Sequence, residues 1–217
     1  MNTRGLQRVY SRLLKEYGPQ NWWPGDSAFE IMVGAVLTQN TAWTNVERAI
    51  ANLKQADALS AQAIVSAHPK RLAMWLKPSG YFNVKARRLR AFCVWYLAQG
   101  GFDALAQRDT ATLRAQLLAV HGVGPETADD ILLYAFGRPV FVIDAYTRRI
   151  FSRLGFVRGD ESYEDLRAHF ERALAPDVAL YNEYHALIVV HGKDYCRPRP
   201  RCTECVLRTG CGGKLVS

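Results

Sequence analysis

The chain has 217 residues, of which 49% are hydrophobic, and its formal net charge is +8 at pH 7. A chain with this length and apolar content can bury one large core or two small ones, which excludes a disordered protein. No apolar run approaches the length of a membrane span, so we expect a cytoplasmic protein with no membrane partner. The basic excess suits a polyanionic partner such as nucleic acid, although a basic surface for solubility explains the charge equally well.

Apolar residues recur at spacings of three and four along most of the chain, which predicts helices. The spacing runs through residues 6–17, 29–37, 46–53, 131–136, 166–173 and 180–188. Alternating strand patterns are scarce, and the apolar run at residues 140–143 predicts an extended link. The sequence therefore predicts an all-α protein with about ten helices joined by short loops.

One predicted helix carries a group of basic residues. Its members are Lys85, Arg87, Arg88 and Arg90. A solvated helix face and a DNA contact explain this group about equally well.

Residues 113–135 predict two helices joined by a glycine turn, H-G-V-G-P, at residues 121–125. Gly122 and Gly124 are free to take positive φ, and Pro125 suits the first turn of a helix. Backbone N–H groups exposed at such a turn can donate to phosphate oxygens. The segment indicates a DNA-binding helix-hairpin-helix, and a plain glycine-capped helical hairpin is the simpler alternative.

Asp144 follows the apolar run in V-I-D-A-Y, eighteen residues after Glu126. An aspartate between an extended run and a helix is first of all an N-cap candidate. Its position after the hairpin makes it a candidate catalytic carboxylate as well.

Four cysteines lie close together near the carboxyl end, with the spacing C-x5-C-x2-C-x5-C: Cys196, Cys202, Cys205 and Cys211. A disulfide pair is disfavoured because the amino terminus lacks an apolar h-region. Zinc also accepts four thiolates, but structural zinc usually takes two separated C-x2-C pairs, so we favour a [4Fe–4S] cluster. Arginines surround the thiols at residues 197, 199, 201 and 208, and Cys93 in an apolar helix is expected to be core.

Together these motifs resemble the endonuclease III superfamily of helix-hairpin-helix DNA glycosylases. The resemblance also includes L-T-Q-N at residues 37–40, G-Y-F-N-V-K-A at 80–86 and H-G-K at 191–193. It implies a two-domain all-α fold with a carboxyl-terminal [4Fe–4S] loop. Residues 22–128 would form a six-helix barrel ending in the hairpin, and residues 1–21 with 129–217 would form the cluster domain. DNA and the catalytic aspartate would lie in the cleft between the two domains.

The resemblance also implies roles for individual residues. Asp144 would stabilise the oxocarbenium-like sugar and direct a nucleophile to C1′. Gln39 would fill the gap left by an everted base, although a polar cap on a helix end is the simpler interpretation. The remaining implied DNA contacts are Gly122, Val123, Gly124, Glu126 and Thr127. Cys196, Cys202, Cys205 and Cys211 would bind the cluster, although the family loop has one more residue between its first two cysteines.

Bifunctional members of this superfamily carry a Schiff-base lysine where this chain has Glu126. A carboxylate cannot form an imine, so the resemblance implies a monofunctional enzyme without strong lyase activity. Glu126, W-W-P at residues 22–24 and T-Q-N-T-A-W at 38–43 look like the 3-methyladenine DNA glycosylase III branch. In that branch Trp22, Trp23 and Trp43 would form an aromatic pocket for an alkylated base, by stacking and cation–π attraction. Members of that branch lack the cysteine loop.

The function expected from the sequence is therefore base excision repair. A nucleoid-associated monomer would act on double-stranded DNA that contains a damaged base, and alkylated bases are the expected substrates. The alternatives are a glycosylase for mismatched thymine or uracil or for oxidised pyrimidines, and a non-catalytic module that binds structured DNA.

Overall fold

The computed structural model describes residues 3–22 and 25–212 of the chain. These residues contain helices and no strand, which confirms the predicted all-α fold. The α-helices in chain order are α1 Thr3–Tyr17, α2 Ala28–Leu37, α3 Trp43–Gln55, α4 Ala61–Ser66, α5 Pro69–Trp75, α6 Phe82–Ala98, α7 Gly101–Ala106, α8 Thr110–Leu118, α9 Pro125–Asp130, α10 Ala145–Arg153, α11 Tyr163–Ala173 and α12 Val178–Asp194. A π-helical segment, Ile131–Ala135, continues α9, and short 3₁₀ turns lie at Lys77–Ser79 and Cys202–Glu204.

The chain divides into two compact units. The central unit comprises residues 23–138, and the terminal unit comprises residues 1–22 with 139–217. Residues 129–138 are thus grouped with the central unit. The six-helix barrel expected between residues 22 and 128 stays a prediction.

Several helices begin at a serine or aspartate whose side chain accepts the N–H three residues later, which satisfies one of the unpaired donors of the first turn. These N-caps are Ser27, Ser60, Asp109, Asp144, Ser162 and Asp177. The N-cap expected at Asp144 is therefore confirmed.

Aromatic side chains fill the core of the terminal unit. The rings of Phe141 and Phe170 stack with centroids 4.4 Å apart, and Phe151 meets Phe170 edge-on at 4.8 Å. Tyr184 is fully buried, and its hydroxyl donates to the carbonyl of Leu6 over 2.8 Å. Such packing joins α1, α11 and α12 around the segment that leads to Asp144.

Residues 140–143 form the extended link that the sequence predicts, and all four are buried. Side chains of α11 satisfy part of its backbone. The N–H of Phe141 donates to Glu171 over 3.0 Å, and the N–H of Ile143 donates to the Tyr163 hydroxyl over 3.4 Å. Because the link is held on both sides of Val142, the start of α10 is fixed in place.

The four basic residues of α6 do not all lie on an exposed face of the helix, so they cannot contact DNA as a group. Lys85 is 1% exposed, and its ammonium donates to the carbonyl of Ser79 over 2.5 Å. Arg88 donates to Gln39, and Arg90 donates to the carbonyl of Ala67. Both interpretations were wrong for Lys85, because it is buried, whereas Arg88 and Arg90 are half-buried and each donates to an acceptor within the central unit.

Among the described residues, no helix is long and apolar enough to cross a membrane.

Candidate functional site

Asp144 is the N-cap of α10, and its two carboxylate oxygens have different partners. Oδ1 accepts the backbone N–H of Thr147 over 2.7 Å. Oδ2 lies 3.6 Å from Nε2 of His185 in α12, and the two side chains are only 11% and 8% exposed. A separation of 3.6 Å is longer than a normal hydrogen bond, so this contact is chiefly electrostatic.

The surroundings of Asp144 keep its carboxylate ionised in spite of burial. Burial by itself raises the pKa of this carboxyl, but the nearby His185 and then the hydrogen bonds from Thr147 outweigh it. The net effect is a pKa below the ordinary value of 3.8. A buried anion of this kind can stabilise positive charge that develops next to it.

Trp22 lies next to His185 in the terminal unit. Its ring stacks on the imidazole of His185, with centroids 6.1 Å apart and planes inclined by 12°. The ammonium of Lys193 lies 6.0 Å from the centroid of Trp22. The structure thus brings together Asp144 and Trp22, two of the residues selected from the sequence, through His185.

The glycine turn of the hairpin lies in the central unit between α8 and α9. Gly122 has a φ of +88°, and a Cβ atom there would lie 2.3 Å from Cγ of Arg88, so only glycine fits. Gly124 is the N-cap of α9 with a φ of −94°, so the positive φ that we allowed at this residue is not adopted. Val123 and Thr127 are buried, whereas Glu126 is exposed.

A bidentate ion pair fastens the two helices of the hairpin. Nε of Arg114 in α8 lies 2.6 Å from Oδ1 of Asp129, and its Nη2 lies 3.1 Å from Oδ2. The Asp129 side chain is fully buried. The two parallel hydrogen bonds hold α8 and α9 together and so restrict the turn between them.

Gln39 lies just beyond the end of α2 and is hydrogen-bonded to the hairpin. Its Nε2 donates to the carbonyl of Gly122 over 2.9 Å and to the hydroxyl of Thr127 over 3.0 Å. Its Oε1 accepts from Arg88. These bonds tie Gln39 to the hairpin turn and to the first turn of α9, and its entry into the duplex stays a prediction.

The three candidate tryptophans have different positions. Trp43, the first residue of α3, is half-buried against α2, where a Cβ atom on Gly34 would lie 3.0 Å from its Cη2. Trp22 belongs to the terminal unit. Trp23 lies outside the described residues. The aromatic pocket stays a prediction.

Arginines of α1 and α10 bind the backbone of the cysteine loop. Nε of Arg149 donates to the carbonyl of Cys196 over 2.7 Å, and Arg153 donates to the carbonyls of Arg197 and Pro198 over 2.6 and 3.0 Å. Arg12 donates to the carbonyl of Thr209 over 2.8 Å. The loop is therefore held at its beginning and near its end.

The four cysteines of the loop are free thiols, and Cys205 lies close enough to the other three to interact with them electrostatically. Burial raises the pKa of Cys205, the N–H of Leu207 opposes this, and Cys196, Cys211 and Cys202 add to the increase. Within residues 3–22 and 25–212, no group of three or more His, Cys, Asp or Glu side chains has an arrangement that could hold a metal ion.

The sulfur atoms nevertheless face groups that suit bound thiolates. Nη1 of Arg153 lies 3.4 Å from Sγ of Cys196, and Nε2 of His191 lies 3.6 Å from Sγ of Cys205. Four thiols beside an arginine and a histidine are ligands of the kind that bind an iron–sulfur cluster or zinc. The four side chains do not, however, surround a common point in this structure. Cys93 is fully buried, and burial raises its pKa to about 12, as expected for a core thiol.

Sequence reasoning missed His185 because a histidine among the apolar residues of α12 has the pattern of an ordinary core residue. It also missed the role of Arg88, which the clustered charges of α6 concealed. No local signal in the sequence indicates either contact.

Comparisons with known proteins agree with this geometry. A family model, the HhH-GPD superfamily base excision DNA repair protein, matches residues 33–176. A protein of Methanocaldococcus jannaschii that carries the provisional name DNA repair glycosylase is 45% identical over 212 residues, which is 96% of each chain.

Two solved structures show the same fold. The 3-methyladenine DNA glycosylase MagIII of H. pylori, bound to 1,N6-ethenoadenine, is 31% identical with a TM-score of 0.75, over 89% of this chain and 98% of that chain. An endonuclease III–DNA complex has a TM-score of 0.84 at 19% identity, over 98% of this chain and 96% of that chain. Since the family model spans more than half of the sequence, the chain belongs to the helix-hairpin-helix (HhH-GPD) superfamily of base excision DNA repair glycosylases.

Proposed function

We propose that this protein is a monofunctional DNA N-glycosylase, which everts a damaged base from double-stranded DNA and hydrolyses its N-glycosidic bond. The observation that carries the proposal is the buried, ionised carboxylate of Asp144 at the start of α10. An N-cap alone would need only the contact with Thr147, and the second oxygen beside His185 supports a catalytic site over a module that only binds DNA. The hairpin and Gln39 are the proposed DNA contacts.

In the proposed reaction, the bond between C1′ and the base nitrogen breaks, and its electron pair leaves with the base. Positive charge develops on the sugar, and the Asp144 carboxylate stabilises this charge. Water, positioned by the same carboxylate, then bonds to C1′ through its oxygen and gives one proton to the carboxylate, which passes it to solvent or, where the base leaves as an anion, to that base. The product is an abasic site, and the strand remains intact.

Glu126 supports the monofunctional assignment. It occupies the hairpin position at which bifunctional relatives carry the attacking lysine, and it is exposed on α9. Its carboxylate cannot form a Schiff base with C1′, so strand cleavage by β-elimination has no amine at this position.

Alkylated purines are the substrate class that we propose first. The 31% identity to MagIII, whose structure holds 1,N6-ethenoadenine, supports this class. In the branch that the sequence resembles, aromatic residues at the positions of Trp22 and Trp43 stack on the base.

One observation favours the alternative class, which comprises mismatched uracil or thymine and oxidised pyrimidines. The ammonium of Lys193 already lies 6.0 Å from the Trp22 ring. A second cation on this ring, such as an N-alkylated purine with its positive charge, would be repelled, whereas a neutral base would not.

We further propose that Cys196, Cys202, Cys205 and Cys211 hold a [4Fe–4S] cluster. The cluster would stabilise the loop and contribute nothing to the glycosidic step. Arg149 and Arg153 support the loop backbone independently of the metal.

The test is base release from duplexes that carry 3-methyladenine, 1,N6-ethenoadenine, hypoxanthine, uracil or thymine opposite guanine, or thymine glycol. Products are scored before and after alkali, with Asp144→Asn as the matched control. We expect release by the wild type with strand breaks only after alkali, and none by Asp144→Asn at similar DNA affinity. Turnover by Asp144→Asn, or breakage without alkali, would contradict the proposal.

A further inference from the structure

The two oxygens of the Asp144 carboxylate are not equivalent. Oδ1 is occupied by the N–H of Thr147 over 2.7 Å, which fixes the orientation of the carboxylate plane at the start of α10. Oδ2 is the oxygen that does not cap α10, and the group beside it is Nε2 of His185 at 3.6 Å. His185 has no part in the mechanism described above.

We propose that His185 is a positioning residue for the proposed glycosylase reaction, holding Oδ2 of Asp144 charged and oriented without occupying it. A hydrogen bond of normal length would engage one of the two lone pairs of Oδ2 and would reduce the negative charge that this oxygen offers to the sugar or water. At 3.6 Å the nitrogen supplies electrostatic attraction and leaves the oxygen accessible to a third group. The inference rests on the proposed function, because Asp144 has to be the reacting carboxylate.

Burial makes this neighbour necessary. The side chains of Asp144 and His185 are 11% and 8% exposed, so water does little to stabilise the charge. Burial would raise the pKa of the carboxyl, and His185 contributes the largest opposing effect, followed by Thr147. Without His185, the carboxylate would keep its cap at Oδ1 and lose its principal electrostatic partner.

Trp22 fixes the plane of the imidazole. Its ring lies nearly parallel to that of His185, with an angle of 12° and a centroid distance of 6.1 Å. The offset, nearly parallel indole packs beside the imidazole and limits its rotation, which helps to keep Nε2 directed at Asp144. Trp22 therefore has a role that does not require it to touch the base.

Other titratable groups near α12 do not replace His185. Groups of other elements near α12 include Tyr10 beside Tyr184, Tyr17 and Cys205 beside His191, and Arg149 at the carbonyl of Gly192. Lys193 of α12 itself lies beside Trp22. The tyrosines are neutral at pH 7, since burial raises the pKa of Tyr10 and raises that of Tyr17 well above its usual range. Arg149 and Lys193 are directed at other partners.

The decisive comparison is His185→Phe against His185→Gln. Phenylalanine keeps a ring for Trp22 to stack on and removes both nitrogens, whereas glutamine retains an amide N–H near the position of Nε2. His169→Gln in α11 is the matched control, a histidine of the same unit outside this cluster. Each protein is measured for single-turnover base release, DNA dissociation constant, thermal midpoint and the titration of the ¹³C-labelled Asp144 carboxyl.

We expect His185→Phe to slow base release about 10- to 100-fold with less than about a twofold change in DNA affinity. The Asp144 carboxyl should titrate at least about one pH unit higher in His185→Phe than in the wild type. His185→Gln should recover most of the rate and of the titration, and His169→Gln should match the wild type. If His185→Phe does not fold, His185→Leu provides the same comparison.

A purely structural role for His185 would lower the thermal midpoint and leave the base-release rate and the Asp144 titration unchanged, which would overturn the inference. The carboxyl titration does not depend on turnover. If the wild type releases no base from any duplex, the proposed function fails, and the titration still decides whether His185 acts on Asp144.

Discussion

The backbone of Gly192 in α12 lies directly against the ring of Tyr146 in α10. A Cβ atom at residue 192 would lie 2.4 Å from Cδ1 and 2.9 Å from Cβ of Tyr146, distances that Cβ atoms do not tolerate. Tyr146 is the second residue after Asp144. The contact therefore determines how closely the start of α10 approaches the helix that carries His185.

Gly192→Ala should push Tyr146 away and displace the start of α10. We expect the free energy of unfolding to fall by about 1–3 kcal/mol, because an added methyl group overpacks this contact. Base release should also slow, since Asp144 moves with Tyr146. Chemical denaturation and single-turnover assays measure the two effects.

Gly124→Ala is the control for stability, since a Cβ atom there meets nothing within 4 Å and its φ of −94° suits any residue. Its free energy of unfolding should change by no more than about 0.5 kcal/mol. Equal losses in the two variants would show that the Tyr146 contact is not the cause.

Arg114→Met should destabilise the central unit strongly. It leaves the fully buried Asp129 carboxylate without its bidentate partner, and removing one member of a buried pair costs about 3–5 kcal/mol. Denaturant unfolding measures the loss. Arg158→Met is the matched control because Arg158 and Asp160 are 79% and 75% exposed, and its midpoint should hardly change. Similar midpoints for both variants would contradict the importance of the buried pair.

The stability contributed by Lys85 should depend on pH. Burial, helped by the charge of Arg88, lowers the pKa of Lys85 from 10.5 to about 8. Between these values the unfolded chain holds the proton and the folded chain does not, so this contribution to stability increases as the pH rises. Between about pH 8 and pH 9.5, the free energy of unfolding of the wild type should increase by about 2 kcal/mol relative to that of Lys85→Met.

The comparison with Lys85→Met is necessary because other buried groups act in the opposite sense. Burial raises the pKa of Cys93 and of Tyr181 to about 12, so the stability associated with each is lost as the pH rises. Both proteins share these groups, which cancel in the difference. A difference that stays constant with pH would show that Lys85 keeps its proton on folding.

Glu126→Lys should introduce covalent chemistry that the wild type lacks. Lysine at this exposed hairpin position supplies an amine for C1′, and borohydride reduces the resulting imine to a stable protein–DNA adduct. We expect no adduct from the wild type or from Glu126→Gln, and a detectable adduct from Glu126→Lys on a denaturing gel. Efficient trapping of the wild type would mean that another amine attacks the sugar.

The cysteine loop should bind iron. After anaerobic reconstitution we expect about four iron atoms per chain, with visible absorption typical of a cluster. Cys205→Ser should lose most of the iron, and Cys93→Ala should retain it because Cys93 is buried in the other unit. About one zinc per chain in place of iron would favour the zinc alternative.

Hydrophobic periodicity and N-cap residues allowed the helices to be predicted, because both patterns depend on residues that are close together in the sequence. The buried residues Leu6, Val9 and Leu13 of α1 follow the helical spacing of the sequence, and the N-cap at Asp144 follows from an aspartate between an extended run and a helix. The hairpin turn was identified through Gly122, whose positive φ is confirmed. These features depend on neighbours within a few residues of one another.

The partners of the site residues could not be predicted, because they are distant in sequence. His185 is 41 residues from Asp144, and Arg88 is 49 residues from Gln39. Lys85 was misassigned for the same reason, since charge predicts exposure unless an acceptor such as the carbonyl of Ser79 is known to lie beside it. Only the packed structure shows these contacts.

A single nine-residue helix, α10, has Asp144 at its beginning and Arg149 and Arg153 toward its end. Asp144 and Arg153 are about 13 Å apart along this rigid rod. The arginines donate to three carbonyls of the cysteine loop, so the loop backbone is attached to α10 by contacts that no metal provides. Loss of the proposed cluster would leave these arginine contacts in place. The N-cap of α10 at Asp144 would then keep its position as well.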